Sequence, residues 1–288
     1  MLDLAGEADA RALRVRADVE ALPFADRSLG GAWARNSYLH VSRQCMPLAL
    51  ARLHWSLAPG APLMLSVTRG DGEGAWPNDD FPGRFFCNWQ PDRLRELLVG
   101  AGFDVERIEP DGDTLYASAT RARTLPDTVG PGMGLLVCGL NPSEVAADAG
   151  FGFAGATNRF WAAALEAGVV TKARDPLHAF VHDRAGMTDL VKRATPRASA
   201  IAPVEYRDGA ERVRRMVEWL KPAAVCFVGL DGWRIAVDRR AGPGWQPAGF
   251  GGAPAYVMPS TSGLNARTSR AELVAHLQAA LSGERSVA

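Results

Sequence analysis

Lysine is scarce in this 288-residue chain: Lys172, Lys192 and Lys221 stand against 29 arginines. An amine nucleophile therefore has few places to sit. Cysteine is scarce too. Cys45, Cys87, Cys138 and Cys226 are widely spaced, with no CxxC pair. That excludes a disulfide framework and the usual zinc spacings, and Cys138 and Cys226 read as small buried hydrophobes in a reducing compartment. No apolar run approaches the roughly 18 residues of a membrane span. The N-terminus carries Asp3, Glu7 and Asp9 instead of a basic stretch followed by an apolar one. A secretory signal and a membrane association are therefore not expected, and a cytoplasmic, nucleoid-associated location is. Net charge is also absent, but unevenly. Residues 1–130 hold 14 basic against 18 acidic residues, and residues 131–288 hold 18 against 14. The second half thus leans toward an anionic partner.

What is present describes an ordinary globular protein long enough for two domains. Apolar residues make 47% and charged residues 22% of the chain. In the first half, Met1–Leu4 is a short apolar segment and residues 5–14 suit a helix. Val15–Val19 reads as a strand carrying Asp18, and Gly31–Ala34 as another. A helix is expected over 44–57 and a buried strand over 62–67. A second helix follows over 91–99, and a closing hairpin turns around Asp111-Gly112-Asp113. Strand–helix alternation of this kind predicts a parallel α/β sheet with a terminal hairpin.

Ala17-Asp18-Val19-Glu20-Ala21-Leu22-Pro23-Phe24-Ala25-Asp26-Arg27-Ser28, followed by Leu57-Ala58-Pro59-Gly60, resembles a class I S-adenosylmethionine-dependent methyltransferase over residues 1–120. The resemblance implies that Asp3 holds the ribose and Asp18 flanks the adenine of that cofactor. The family's first strand and glycine-rich turn should precede Asp3, and the chain starts too late to contain them. Residues 1–120 are therefore expected to be a truncated methyltransferase-like domain with a vestigial site. S-adenosylmethionine is expected only if an upstream glycine-rich turn exists in the native protein; otherwise no cofactor is expected.

Residues 121–133 hold prolines and glycines in the proportion of an exposed linker, and a second domain is expected over 134–288. It opens on the buried strand Leu135–Cys138, which stops at Gly139. Asn141 and Pro142 occupy the loop beyond it, and ligands bind outside the carboxyl ends of strands in open α/β sheets. Glycines with Phe151 and Phe153 follow, a combination able to approach and stack on a flat ring. Phe151 and Phe160 read as core residues. A helix runs from Asn158-Arg159-Phe160-Trp161 to about Ala167. An amphipathic helix covers 211–220 with Val213, Met216, Val217 and Leu220 on one face. Strands are expected at 223–229 and 255–259, and helices at 231–239 and 272–281. His178 and His182 could share a helix face, but no third ligand accompanies them and no metal is expected. The interleaving predicts a three-layer α/β/α sandwich with a mainly parallel sheet. Right-handed crossovers would place the Asn141 and Ser260 loops on one edge.

Three motifs carry a second resemblance. Gly139-Leu140-Asn141-Pro142-Ser143, Asn158-Arg159-Phe160-Trp161 and Met258-Pro259-Ser260-Thr261-Ser262-Gly263-Leu264 are together similar to the mismatch-specific uracil/thymine DNA glycosylases of the uracil-DNA glycosylase superfamily. The resemblance implies base flipping on double-stranded DNA holding a mismatched or damaged pyrimidine. It makes Asn141 the catalytic residue that holds the attacking water. Leu140, Ser143, Phe153 and Asn158 fall in the base pocket, with Phe153 stacking on the base. Ser260, Ser262, Gly263 and Arg267 grip the DNA, and Leu264 is the wedge pushed into the vacated stack.

Two positions depart from the family pattern. Ser143 replaces a glycine and adds a Cβ and a hydroxyl beside the base. Asp189 stands where the family more often carries Asn or Lys, and is a candidate general base. Neither motif loop holds a lysine, which argues against Schiff-base lyase chemistry. The expected function is a monofunctional glycosylase. The alternatives are a methyltransferase with a longer native N-terminus and a non-catalytic binder of damaged DNA. Protein partners are not legible.

Overall fold

The structure is a computed structural model that describes residues 13–76 and 79–283. Asp3, the segment 1–4 and most of the helix expected over 5–14 lie outside the described residues. Two sheets organise the chain.

The first sheet is mixed. β1 (Ala32–Ala34) runs parallel to β2 (Pro62–Arg69), as does β4 (Phe85–Trp89). β3 (Glu73–Ala75) pairs antiparallel with β4. The expected terminal hairpin forms from β5 (Phe103–Asp111) and β6 (Thr114–Arg121), and β6 lies antiparallel against β2. Leu63, Leu65 and Val67 alternate onto one face with Leu115, Ala117 and Ala119, as the two-residue period of a strand requires. α1 (Met46–Ser56) and α2 (Pro91–Gly100) cover that face through Leu50, Leu53, Leu94 and Leu98.

The strand expected at Val15–Val19 does not form. No described strand lies beside it, Val15 is exposed, and a strand needs a ladder partner.

The second sheet has the order β10-β11-β9-β7-β8. β7 (Leu135–Gly139), β8 (Ala185–Asp189), β9 (Ala224–Val228) and β11 (Ala253–Met258) are mutually parallel. β10 (Gly244–Phe250) is an antiparallel edge strand with a bulge between Gln246 and Phe250. Its glycines and proline hid it from pattern reading, and edges are where such residues are tolerated.

Both faces of this sheet are covered. One carries α6 (Pro203–Leu220) and α7 (Leu230–Ala236), the other α4 (Phe160–Glu166), α5 (Pro176–Asp183) and α8 (Arg270–Ser282). A short α3 (Glu144–Ala149) follows β7. The chain is therefore two α/β units, the second a three-layer sandwich with a mainly parallel sheet. α6 buries Val213, Met216, Val217 and Leu220 as expected, but starts earlier, where Glu205 Oε1 accepts from Ala202 N–H at 2.9 Å.

The segment expected to be an exposed linker is a buried strap. Thr124 to Gly130 are buried, and the Thr128 and Met187 backbones exchange hydrogen bonds at 2.9 Å in both directions. Asp127 is 3% exposed and meets Lys192 Nζ at 2.8 Å and Arg212 Nη1 at 2.5 Å, with Thr188 Oγ1 donating at 2.7 Å. A carboxylate with two cationic partners and a hydroxyl can be buried where proline and glycine composition points to solvent.

Candidate active site

Because β7, β8, β9 and β11 are parallel, their carboxyl ends share one edge. Gly139, Asp189, Val228 and Met258 mark it. From β7 the chain goes to β8 on one side, then returns to β9 on the other. β7 and β9 therefore flank a topological switch point, where a crevice opens.

Asn141 lies two residues past β7. Its Nδ2 donates to Thr195 Oγ1 at 2.8 Å, Pro142 O at 2.9 Å and Arg193 O at 3.1 Å. Thr195 is buried and itself donates to Arg197 O at 3.0 Å, which sets its hydroxyl to accept from Asn141. The amide is thus pinned by its nitrogen, leaving Oδ1 as the end able to accept a hydrogen bond from a water. Ser143 is the N-cap of α3, its Oγ accepting from Ala146 N–H at 3.1 Å. The cap uses a lone pair of the hydroxyl and leaves its O–H able to donate. Leu140 turns away: its Cδ1 abuts Gly232 of α7, so only its backbone faces the crevice.

Asp189 ends β8, directly opposite Gly139. Its Oδ1 occupies the space a Cβ on Gly139 would take, which is why that position must be glycine. The Arg212 Nη2 donates to the Asp189 carbonyl at 2.7 Å, while the carboxylate accepts no hydrogen bond from the described residues. Burial pushes the Asp189 carboxyl up to about 6, against the pull of Lys192 and Arg212 and with the push of Asp127. Asp127 goes the other way. Burial raises it, but Arg212 and Lys192 hold it below the usual carboxylate range. The depression of Asp127 belongs to its ion cluster with Lys192 and Arg212, while Asp189 is left without a hydrogen-bond donor among the described residues.

Phe153 adopts a left-handed backbone, with φ of 58°, and its ring stacks on buried Phe160 at 4.1 Å. It stands beside Gly139 and Asp189. Phe151 meets Trp161 edge-on, and Trp161 Nε1 donates to Gly152 O at 2.9 Å, which fixes the loop. Asn158 starts α4, its Oδ1 accepting from Phe160 N–H at 2.9 Å.

The loop after β11 is braced by its own hydrogen bonds and buries only Thr261 between Ser260 and Leu264. Ser260 Oγ accepts from Ser262 N–H at 3.2 Å, and Ser262 Oγ from Leu264 N–H at 3.3 Å. Gly263 lies against Thr157, where a Cβ would collide. Leu264 is 97% exposed at the tip, and Arg267 is exposed with no ion pair among the described residues. Arg159 holds the loop from beneath. Its side chain donates to the carbonyls of Thr268, Asn265 and Ser262, and its N–H donates to Thr261 O at 3.0 Å.

Arg159, Thr195 and Asp127 were not legible as site residues. Arg159 stood in a recognised motif but its partners are over 100 residues away. For Thr195 and Asp127 no local signal existed.

Asp18 is exposed and its Oδ1 accepts from Glu20 N–H at 2.9 Å, a local turn contact. Its expected partner Asp3 lies outside the described residues. His178 and His182 do share the α5 face, rings 4.4 Å apart, with His178 Nε2 bonded to Thr171 Oγ1 at 2.9 Å. Among the described residues no three metal-ligating side chains converge, and no helix is long and apolar enough to cross a membrane.

The family profile described as the uracil DNA glycosylase superfamily matches residues 126–282, more than half of the chain. The chain belongs to that superfamily. The match begins inside the buried strap.

The first half is similar to solved methyltransferases. A Burkholderia thailandensis 1,6-didemethyltoxoflavin-N1-methyltransferase shares 24% identity over 42% of this chain and 55% of its own, with a TM-score of 0.35. A Methanosarcina mazei SAM-dependent methyltransferase shares 14% over 42% and 77%, also at 0.35. The chain thus spans little more than half of the first of these proteins.

Proposed function

We propose that the protein is a monofunctional DNA glycosylase that removes uracil opposite guanine by base flipping and hydrolysis of the N-glycosidic bond. The observation that carries this is Leu264. A leucine 97% exposed on a braced polar loop, at the same sheet edge as the pinned Asn141, is placed to enter a duplex and not a core. Ser260, Ser262 and Arg267 then grip the phosphates around the flipped nucleotide. Phe153 stacks on the base, a contact worth about 1–3 kcal/mol.

Asn141 Oδ1 holds a water against the sugar C1′. Asp189 takes the proton from that water as its oxygen attacks C1′ and the C1′–N1 bond breaks. The bond's electron pair leaves on uracil, whose anion the backbone N–H groups of the loop after β7 stabilise. Such a site favours bases that leave well, so uracil over thymine. An Asp189 carboxyl lifted to about 6 is still mostly ionised at pH 7 and is a stronger base than an ordinary aspartate.

Incubation of excess protein with a uracil:guanine duplex, followed by alkali, tests the reading. Strand scission at the uracil is expected, with thymine released more slowly. Intact strands after prolonged single-turnover incubation would leave a binder of damaged DNA and not an enzyme.

A further inference from the structure

The loop of Leu264 and the ring of Phe153 stand on one short segment, Thr157 to Phe160. At its end Phe160 is fully buried in the second core, and Phe153 stacks on it at 4.1 Å. One residue earlier, Arg159 N–H donates to the Thr261 carbonyl at 3.0 Å, and Thr261 is buried. Thr157 lies so close to Gly263 that a Cβ there would collide with it. The segment therefore touches Phe153 on one side and the flanks of Leu264 on the other.

The Arg159 side chain makes the larger part of this link. It donates to the carbonyl of Thr268, to that of Asn265 at 2.7 Å and to that of Ser262 at 3.4 Å. These carbonyls lie on both sides of Leu264 in the chain. Asn265 tightens the same ring, its Nδ2 donating to Ser260 O at 2.8 Å and to Thr268 Oγ1 at 3.0 Å. Leu264 is too exposed for packing of its own to fix where it points. Its place is set by what holds its flanks. A planar guanidinium, with donors in a fixed fork, can hold several carbonyls at once. Among the described residues its hydrogen-bond partners are main-chain carbonyls and no carboxylate. Its charge is therefore not cancelled by an acid beneath a loop that is to meet phosphates.

We infer that Arg159 is a positioning residue for base flipping: it fixes the Leu264 tip relative to the Phe153 ring, so that displacing a base from the stack and capturing it stay in register. The inference rests on the glycosylase reading. Arg159 acts through Leu264 and not on the reacting atoms. A misplacement of about 1 Å, even far from the chemistry, can cost as much as about 10²-fold in rate.

The test uses the full chain with Arg159→Ala, Arg159→Lys, Leu264→Ala and the double variant of Arg159→Ala with Leu264→Ala. Single-turnover uracil excision is measured in a uracil:guanine duplex and in the same uracil-bearing strand alone. A single strand has no paired stack from which the base must be displaced. Arg159→Ala should lower duplex excision roughly ten- to a hundredfold, and single-strand excision far less. Leu264→Ala should show the same preference. The double variant should lose little more than the worse single one, because both changes act through one tip. Arg159→Lys keeps the charge without the fork and should recover part of the duplex rate. A purely structural role would lower duplex and single-strand rates together. That outcome, or losses that multiply in the double variant, would overturn the role of Arg159.

A duplex with 2-aminopurine beside the target uracil reports opening of the stack by its emission, whether or not excision follows. At saturating protein the emission should rise with the wild type and rise less with Arg159→Ala. Absence of uracil excision by the wild type would overturn the glycosylase reading, leaving the emission comparison to decide for Arg159. An equal rise with both proteins, or none with either, would then overturn its positioning role.

Discussion

In the second sheet every residue of β7 and β9 is buried, and core clusters lie on both sides. In the first, a single cluster lines one face, while Trp33 and Met64, adjacent across β1 and β2, look outward. A strand clamped from both faces ends in a fixed place. Asn141, Asp189 and Ser260 therefore leave their strands from positions that packing over-determines, as a reacting geometry requires. The first half reaches the other sideways, through Trp55, Arg27 and the strap.

The largest effect expected from breaking this arrangement is at the strap. Asp127→Ala leaves Lys192 and Arg212 buried without their shared partner. Breaking a buried ion cluster in this way costs about 3–5 kcal/mol. Urea unfolding should show that loss in one transition covering both halves. Two separate transitions, with only the second displaced, would mean that the halves are stabilised independently.

Next comes the chemistry of the two-sided sheet. Asn141→Ala should lower single-turnover uracil excision roughly 10²–10⁴-fold, the range for a group that positions or activates the nucleophile. The melting temperature should hold, because the amide braces a surface loop and not a core. A mild loss would shift the weight of catalysis onto Asp189.

Acid separates the halves by sign. His54 is buried in the first half. Burial first, then the positive charge of Arg121, hold its pKa down to about 3, with Lys192 and Arg27 adding to that. An unfolded histidine binds a proton near 6.5, so stability should fall as pH drops from 6.5 toward 3, by about 1.4 kcal/mol per unit. His54→Leu should flatten that slope. Asp189 works the other way. Its folded value, raised to about 6, lies above the unfolded 3.8. Its stabilising share is complete below 3.8 and lost as pH rises through 6. Activity should climb over the same window as the carboxylate ionises. Asp189→Asn should remove that limb and slow excision several-fold at pH 7. An identical pH profile in the variant would take Asp189 out of the mechanism.

Much of the second half was legible because its signals are local. A strand of five apolar residues, an Asn-Pro turn, and a Ser-Gly-Leu loop each announce themselves within a dozen residues. What was not legible depends on distant partners. The strap looked like a linker because its proline and glycine content carries no trace of Lys192 or Arg212. Ser143 reads as a pocket residue in the motif, and its second role as the cap of α3 depends on where that helix starts. Leu140 stood in a recognised motif, yet its side chain follows the core below the sheet. Val15–Val19 had strand-like composition but no neighbour to pair with among the described residues.

The smallest expected effect tests the exposed face of the first sheet. Trp33 is 77% exposed on β1, beside Met64. If that face meets water in the folded protein, Trp33→Ser removes little buried area, and stability should change by no more than about 0.5 kcal/mol. Leu65→Ala lies on the same sheet one strand over, with its side chain in the opposite, buried layer. It should cost about 2–5 kcal/mol. The contrast between these two substitutions measures how one-sided the sheet is. A Trp33→Ser loss approaching that of Leu65→Ala would show that the face is covered in solution. The comparison of the two halves would then be one of what covers each sheet, and no longer of how many faces are buried.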